Sequence, residues 1–270
     1  MGTMDVFAKS LTLYGQRFGT LVGVAFFAAA PKVAALAMSP WIPSETLRYV
    51  SIGSGMVFSA ILSIYAMGFV TAVALQPAQA DFASAKRFFW PLTRTGVALA
   101  ILSLPLGLVF VAMAGLVALT RLGYAWAPGA AGVGVIVGIS FFLWYGLHVV
   151  LPSILGYAIT VREAVDGFGA LRRSRELVQY DYRNLLANAT VRLLGLSLLI
   201  LTINLALYAL SALPFASLRG AEAGALEGAA LHQNLIQSVV GILAFPVSLL
   251  AYAVFYLDLV ARGTRTESNE

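Results

Sequence analysis

No Asp, Glu, Lys or Arg occurs between Arg48 and Asp81, Arg94 and Arg121, Arg121 and Arg162, Arg192 and Arg219, or Glu227 and Asp258. A further run from Phe18 to Met38 carries Lys32 alone. The hydrocarbon core of a bilayer, ~30 Å thick, takes about 20 mostly apolar helical residues to cross, and a soluble core helix seldom runs that far without a charge. The spacing therefore predicts an all-α polytopic membrane protein, a single transmembrane domain over 1–270. Its six spans fall at about 18–38, 50–76, 94–118, 131–157, 190–213 and 236–260. The window from Arg121 to Arg162 is long, but Pro128, Gly129 and Gly132 make its first part a turn. The segment Leu213 to Leu235, with Gly220, Gly224 and Gly228, fits either a short helix or a mobile loop.

With 60% hydrophobic and 11% charged residues, the chain lies far from soluble domains, in which about a quarter of residues are charged. It has no cysteine, which removes disulfides, thiolate metal sites and thiol nucleophiles. The formal net charge of +5 sits beside hydrophobic spans, so anionic inner-leaflet lipids, and not nucleic acid, are the expected partners. Phe18 to Ala30 has the look of a cleaved leader, yet Asp5 precedes it and cleavage would fall beside Pro31, so no leader is expected.

With the amino terminus in the cytoplasm, only Lys32, Arg48, Arg121 and Arg219 among the 17 Lys and Arg residues fall toward the outside. The positive-inside rule then makes both termini cytoplasmic. Three inner segments carry helical periodicity: Phe7, Leu11, Tyr14, Phe18 and Leu21; Phe168, Leu171, Val178, Tyr182 and Leu185; and, more weakly, Phe82 to Leu92. Such helices either lie on the inner leaflet, with Arg87, Arg172, Arg173 and Arg175 among the lipid head groups, or pack against the bundle as amphipathic connectors.

Three stretches, LYGQRFGTLVGVAFFAAAP, ALRRSRELVQYDYRNLL and YLDLVAR, together resemble a broad group of bacterial six-helix membrane proteins. The group takes its name from the membrane domain of some glycerophosphoryl diester phosphodiesterases. Its pattern of Arg-Ser followed by Glu-Leu after the fourth span is matched by Arg173, Ser174, Glu176 and Leu177. Its closing Tyr, Asp and Leu are matched by Tyr256, Asp258 and Leu259, although Val260 stands where the family has Arg. The resemblance implies a multi-pass protein of the bacterial cytoplasmic membrane. It implies no hydrolysis, because in relatives that have that chemistry it belongs to an attached soluble domain.

Intramembrane polar groups are costly to keep from water and are therefore functional candidates. Lys32 either lines a cavity and counters an anion, or snorkels to the outer head groups on its long stem. His148 is a proton relay, a cofactor ligand or a neutral imidazole bonded to a neighbouring helix; Asn204 binds a ligand or joins two helices. Asp258 is expected to clamp the last span to Arg172, Arg173 or Arg192. Gly15, Gly19 and Gly23, and again Gly134 and Gly138, admit close approach of a helix from this chain or from a second membrane protein. Pro105, Pro152 and Pro246 should bend their helices.

No catalytic residue, metal site or cofactor is expected: His148 and His232 are the only histidines, and no phosphate loop or nucleophile with a base is recognisable. Two functions remain, a noncatalytic accessory or scaffold component that binds other membrane proteins or lipids, and a small transporter or flippase for an amphiphilic molecule. The second requires Lys32, His148 or Asn204 to face a cavity.

Because the chain lacks cysteine, a single introduced thiol reports topology without background. In intact cells Arg172→Cys should resist a membrane-impermeant maleimide that labels Arg219→Cys; labelling of the former from outside overturns the orientation.

Overall fold

The computed structural model describes residues 2–76, 86–122, 124, 127–184, 188–216 and 223–267, with side chains described at these positions except 127–128, 179–184, 188, 211–216, 223–232 and 263–267. Among the described residues the chain is helical and has no strand. Along it run α1 (Thr3–Gln16), α2 (Phe18–Met38), α3 (Glu45–Leu75), α4 (Phe89–Arg121), α5 (Ala127–Tyr145), α6 (Gly156–Glu163), α7 (Gly167–Asn184), α8 (Asn188–Ala216) and α9 (Ala223–Glu267). A π-helical segment, Gly146–Val150, and a turn, Leu151–Ser153, join α5 to α6. Six stretches are long and apolar enough to cross a bilayer: Phe18–Trp41, Glu45–Leu75, Lys86–Arg121, Gly129–Glu163, Ala189–Leu210 and Gln233–Arg262. The protein is a multi-pass membrane protein, and each stretch covers one expected span.

Two compact units make up the chain, one of Met1–Trp90 with Gly195–Glu270, the other of Pro91–Leu194. In the first, α1 begins with the Gly2 N–H donating to Asp5 Oδ2 at 2.7 Å, and it ends at Arg17, whose φ of −119° and ψ of 20° break the helix. The amphipathic set Phe7 to Leu21 is therefore divided, and Phe18 and Leu21 belong to the first span. Val6 and Ser10 are fully buried, while Leu13 and Tyr14 pack on a cluster of Leu21, Phe69, Val70, Val73 and Leu250. The first connector is thus a packed part of the bundle.

The tightest helix pair of this unit is α2 with α3. A Cβ on Gly55 would stand 2.6 Å from Ala35 Cβ and 2.8 Å from the Pro31 carbonyl oxygen, so only a glycine lets these backbones approach so closely. One turn further, Ser59 Oγ donates to the Ala28 carbonyl at 2.7 Å and ties α3 to α2. Leu250, Ala251, Val254, Phe255 and Tyr256 of α9 are at most 2% exposed and form the deepest part of the unit.

In the second unit α4 and α5 pair through Gly134 and Gly138, which face Leu116 and Met113, so these two glycines serve packing within the chain. The turn expected at Pro128, Gly129 and Gly132 is instead the start of α5; a proline in the first helical turn needs no N–H partner and its fixed φ suits the helix. Likewise α9 begins at Ala223, so the part of the outer segment from there to Leu235 is helix, while 217–222 lie outside the described residues. Of the weak segment Phe82 to Leu92, 82–85 lie outside them too, Lys86–Phe88 is a 3-10 turn and the rest opens α4.

At Gly55 the obstacles are a backbone oxygen and a β-carbon, neither of which can swing aside. Gly55→Ala should lower stability in detergent by ~1–3 kcal/mol. Gly19→Ala, with nothing within 4 Å of its added carbon, should stay within ~0.5 kcal/mol in the same thermal unfolding measurement.

Candidate functional site

Lys32 lies 14 residues into α2, roughly 21 Å along the helix from Phe18, and is half-buried. It lines a cavity of about 190 Å³ within the first unit. Ala25, Ala28 and Ala29 of α2 and Gly241 of α9 leave the space, and Ser59, Ser63, Tyr208, Gln237 and Ser238 give it a polar wall. Ser63 Oγ donates to the Ser59 carbonyl at 2.8 Å and Ser238 Oγ to the Asn234 carbonyl at 2.8 Å. With Ser59 bonded to Ala28, all three hydroxyl protons are committed to backbone and only oxygen lone pairs remain. No carboxylate is part of the lining among the described residues.

Lys32 thus lines a cavity, the first of its two expected settings. Its ammonium has three donors, and the Gln237 amide adds two more. A cation held at membrane depth is costly unless a negative group faces it. The arrangement suits the anionic head of a small amphiphile.

The other intramembrane candidates do not join this cavity. His148 is exposed in the second unit; its Nδ1 lies 2.9 Å from the Trp144 carbonyl and its ring stacks on Trp144 at 6.0 Å between centroids. Its partner is one turn back in its own helix instead of a neighbouring one. Asn204 behaves alike: its Nδ2 donates to the Ile200 carbonyl at 2.8 Å. Asn204 faces a separate apolar groove between α1, α8 and α9, where burial pushes the Tyr14 phenol above its ordinary pKa.

Asp258 is 8% exposed and pairs with Arg262, one turn along α9, at 3.2 Å. Two of the arginines expected to clamp it are engaged elsewhere: Arg172 pairs with Glu176 at 3.3 Å and Arg173 with Glu163 at 3.2 Å. Gly15, Gly19 and Gly23 are exposed, and a Cβ on any of them meets nothing within 4 Å.

The basic connector α7 is anchored into the second unit. Ala170, Leu171, Ser174 and Val178 are buried, whereas Phe168, expected on the apolar face, is exposed, and Tyr182 and Leu185 lie outside the described side chains. Ser174 Oγ donates to the Pro152 carbonyl and Arg175 Nε to Ser153 Oγ at 3.0 Å. The chain between Ser153 and Gly156 is a turn, which frees the Pro152 oxygen from the helical ladder and makes it an acceptor for Ser174. Arg173 and Arg175 therefore hold the fold together. Arg172, with a side chain 84% exposed, stays open to lipid head groups. So does Arg87, which donates to Gln76 Oε1 at 3.0 Å and lies 4.5 Å over the Phe88 ring.

A buried hydroxyl pair went unnoticed in the sequence. Thr95 and Thr160, at most 1% exposed, lie 2.8 Å apart, and the Gly167 N–H donates to Thr95 Oγ1 at 3.0 Å. That bond satisfies the first orphan donor of α7. Gly167 has a φ of +57°, which glycine adopts without strain.

Comparison with protein-family models, with curated proteins and with solved structures returned no match, so the functional reading stands on the geometry.

Ser174→Ala should cost ~1–3 kcal/mol, because it strands a buried carbonyl. Arg172→Ala, which removes an exposed ion pair, should change the thermal midpoint by no more than ~0.5 kcal/mol allows.

Proposed function

We propose that this chain is a noncatalytic protein of the bacterial cytoplasmic membrane that takes up a small anionic amphiphile, its head group held in the cavity around Lys32. One observation carries the reading: the Lys32 ammonium, in a membrane-spanning helix, and the Gln237 carboxamide bring donors to one cavity with no carboxylate among its described lining residues. In a medium of low dielectric an ion pair there is much stronger than in water. Under the cytoplasmic orientation of the termini, the cavity opens in the outer half of the bilayer. Of the two expected functions, this favours handling of an amphiphile, as a carrier or flippase.

A role as accessory subunit is a second reading with its own support. Gly19 and Gly23, four apart on α2, would each meet nothing among the described residues within 4 Å of an added Cβ, and small residues at such spacing accept a helix from another membrane protein.

The first reading is tested by equilibrium binding of a fluorescent short-chain phosphatidylglycerol to the detergent-purified protein. Lys32→Gln should weaken binding tenfold or more, about 1.4 kcal/mol, while Ser140→Ala on the second unit leaves it unchanged. Equal affinity of the Lys32→Gln and unaltered proteins would remove the ammonium from the function.

A further inference from the structure

The groove between α1, α8 and α9 has a volume of about 370 Å³, and its chemistry differs from that of the Lys32 cavity. Phe7 and Leu11 of α1, Phe18 of α2, Ile203 and Leu207 of α8 and Val247 of α9 form its walls. The two polar residues deep within it turn their donors away: Asn204 Nδ2 to the Ile200 carbonyl and Ser248 Oγ to the Ala244 carbonyl at 3.1 Å. Hydrocarbon is what such a surface accepts.

One wall, α1, precedes the first membrane-spanning stretch, which begins at Phe18, while the other walls belong to three spans. The end of the groove at Tyr14 and Phe18 therefore lies where a span begins. Arg17 lies in sequence between Tyr14 and Phe18, both of which line the groove. Arg17 is exposed and makes no ion pair among the described residues. The only acid of α1, Asp5, accepts from the Gly2 N–H.

We infer that this groove is a lipid site on the cytoplasmic side, taking one acyl chain of an anionic phospholipid whose head group pairs with Arg17. Charge favours that occupant. A cation without an ion pair among the described residues, next in sequence to a wall of an apolar slot, matches a hydrocarbon chain that ends in a negative group. The inference is independent of the Lys32 cavity.

Native mass spectrometry of the full chain in mild detergent, titrated with phosphatidylglycerol or phosphatidylcholine of matched chains, tests it. With Lys32→Gln in every form, so that the cavity no longer retains an anionic head group, the protein should hold one phosphatidylglycerol about fivefold more tightly than phosphatidylcholine, the effect of one basic residue at the membrane surface. Adding Arg17→Gln should make the two bind equally. Adding Leu207→Trp, or Ala244→Leu as a milder filling, should lose both lipids while the protein elutes as the same particle. Retention of this lipid without Lys32 separates the groove from the cavity. Unchanged lipid number and selectivity in Arg17→Gln and in whichever filling variant folds would overturn the inference, as would a copurified protein displaced by those variants.

Discussion

Inside hydrocarbon there is no water to accept a backbone hydrogen bond, so every N–H and C=O must find its partner in the protein. That constraint decides where this chain is regular and where it is allowed to break. The spans are continuous helix over most of their length. Where the ladder stops near the fourth span's C-terminal end, side chains from neighbouring elements take its place: Ser174 bonds the carbonyl of Pro152, and Thr95 accepts from the first amide of α7. The break at Arg17 lies at the start of the first span, where head groups and water are within reach. The joints of the molecule are therefore hydroxyl groups, and the arginines beside them are partly consumed in holding the same joints.

Within the bilayer, apolar surface gains little from being buried against another helix, since lipid tails are equally apolar; close packing and hydrogen bonds do the holding. The first unit follows this rule with Gly55 against Pro31 and Ala35, and with the bond from Ser59 to Ala28. The same small residues have a second effect. Ala25, Ala28, Ala29 and Gly241 keep the helices near one another but fill little volume, so a cavity remains and Lys32 occupies its edge. Tight backbone approach and an internal polar space are two results of one choice of residues.

Most of the architecture could be read in advance because charge is forbidden in spans and compulsory outside them; the six windows agree to within several residues. What failed was reading that relied on local signals alone. Pro128 and the glycines after it looked like a turn, but a proline in the first turn of a helix is well placed. The periodicity of Phe7 to Leu21 hid a break at Arg17, since two successive helices can share a repeat. Lys32 could be seen as a candidate, whereas its surroundings could not, because Gln237, Ser238 and Tyr208 lie far away in the sequence. Ser59 and Ser63, four residues apart in an uncharged run, were a visible sign of a polar stripe. Thr95 and Thr160 gave none: each is a lone hydroxyl near a span end, and only the fold brings them together.

The helix α9 has 45 residues, so at 1.5 Å per residue it is about 68 Å long. Even tilted by ~40°, the steep end of what spans adopt, it would extend about 52 Å along the normal, well beyond the ~30 Å of hydrocarbon. The excess must stand in the aqueous phases as a stiff rod. Whatever engages its C-terminal end does so at a fixed stand-off from the lipid surface, and a torque applied there reaches the Phe255 and Tyr256 region of the interior with no proline between, since Pro246 lies on the far side.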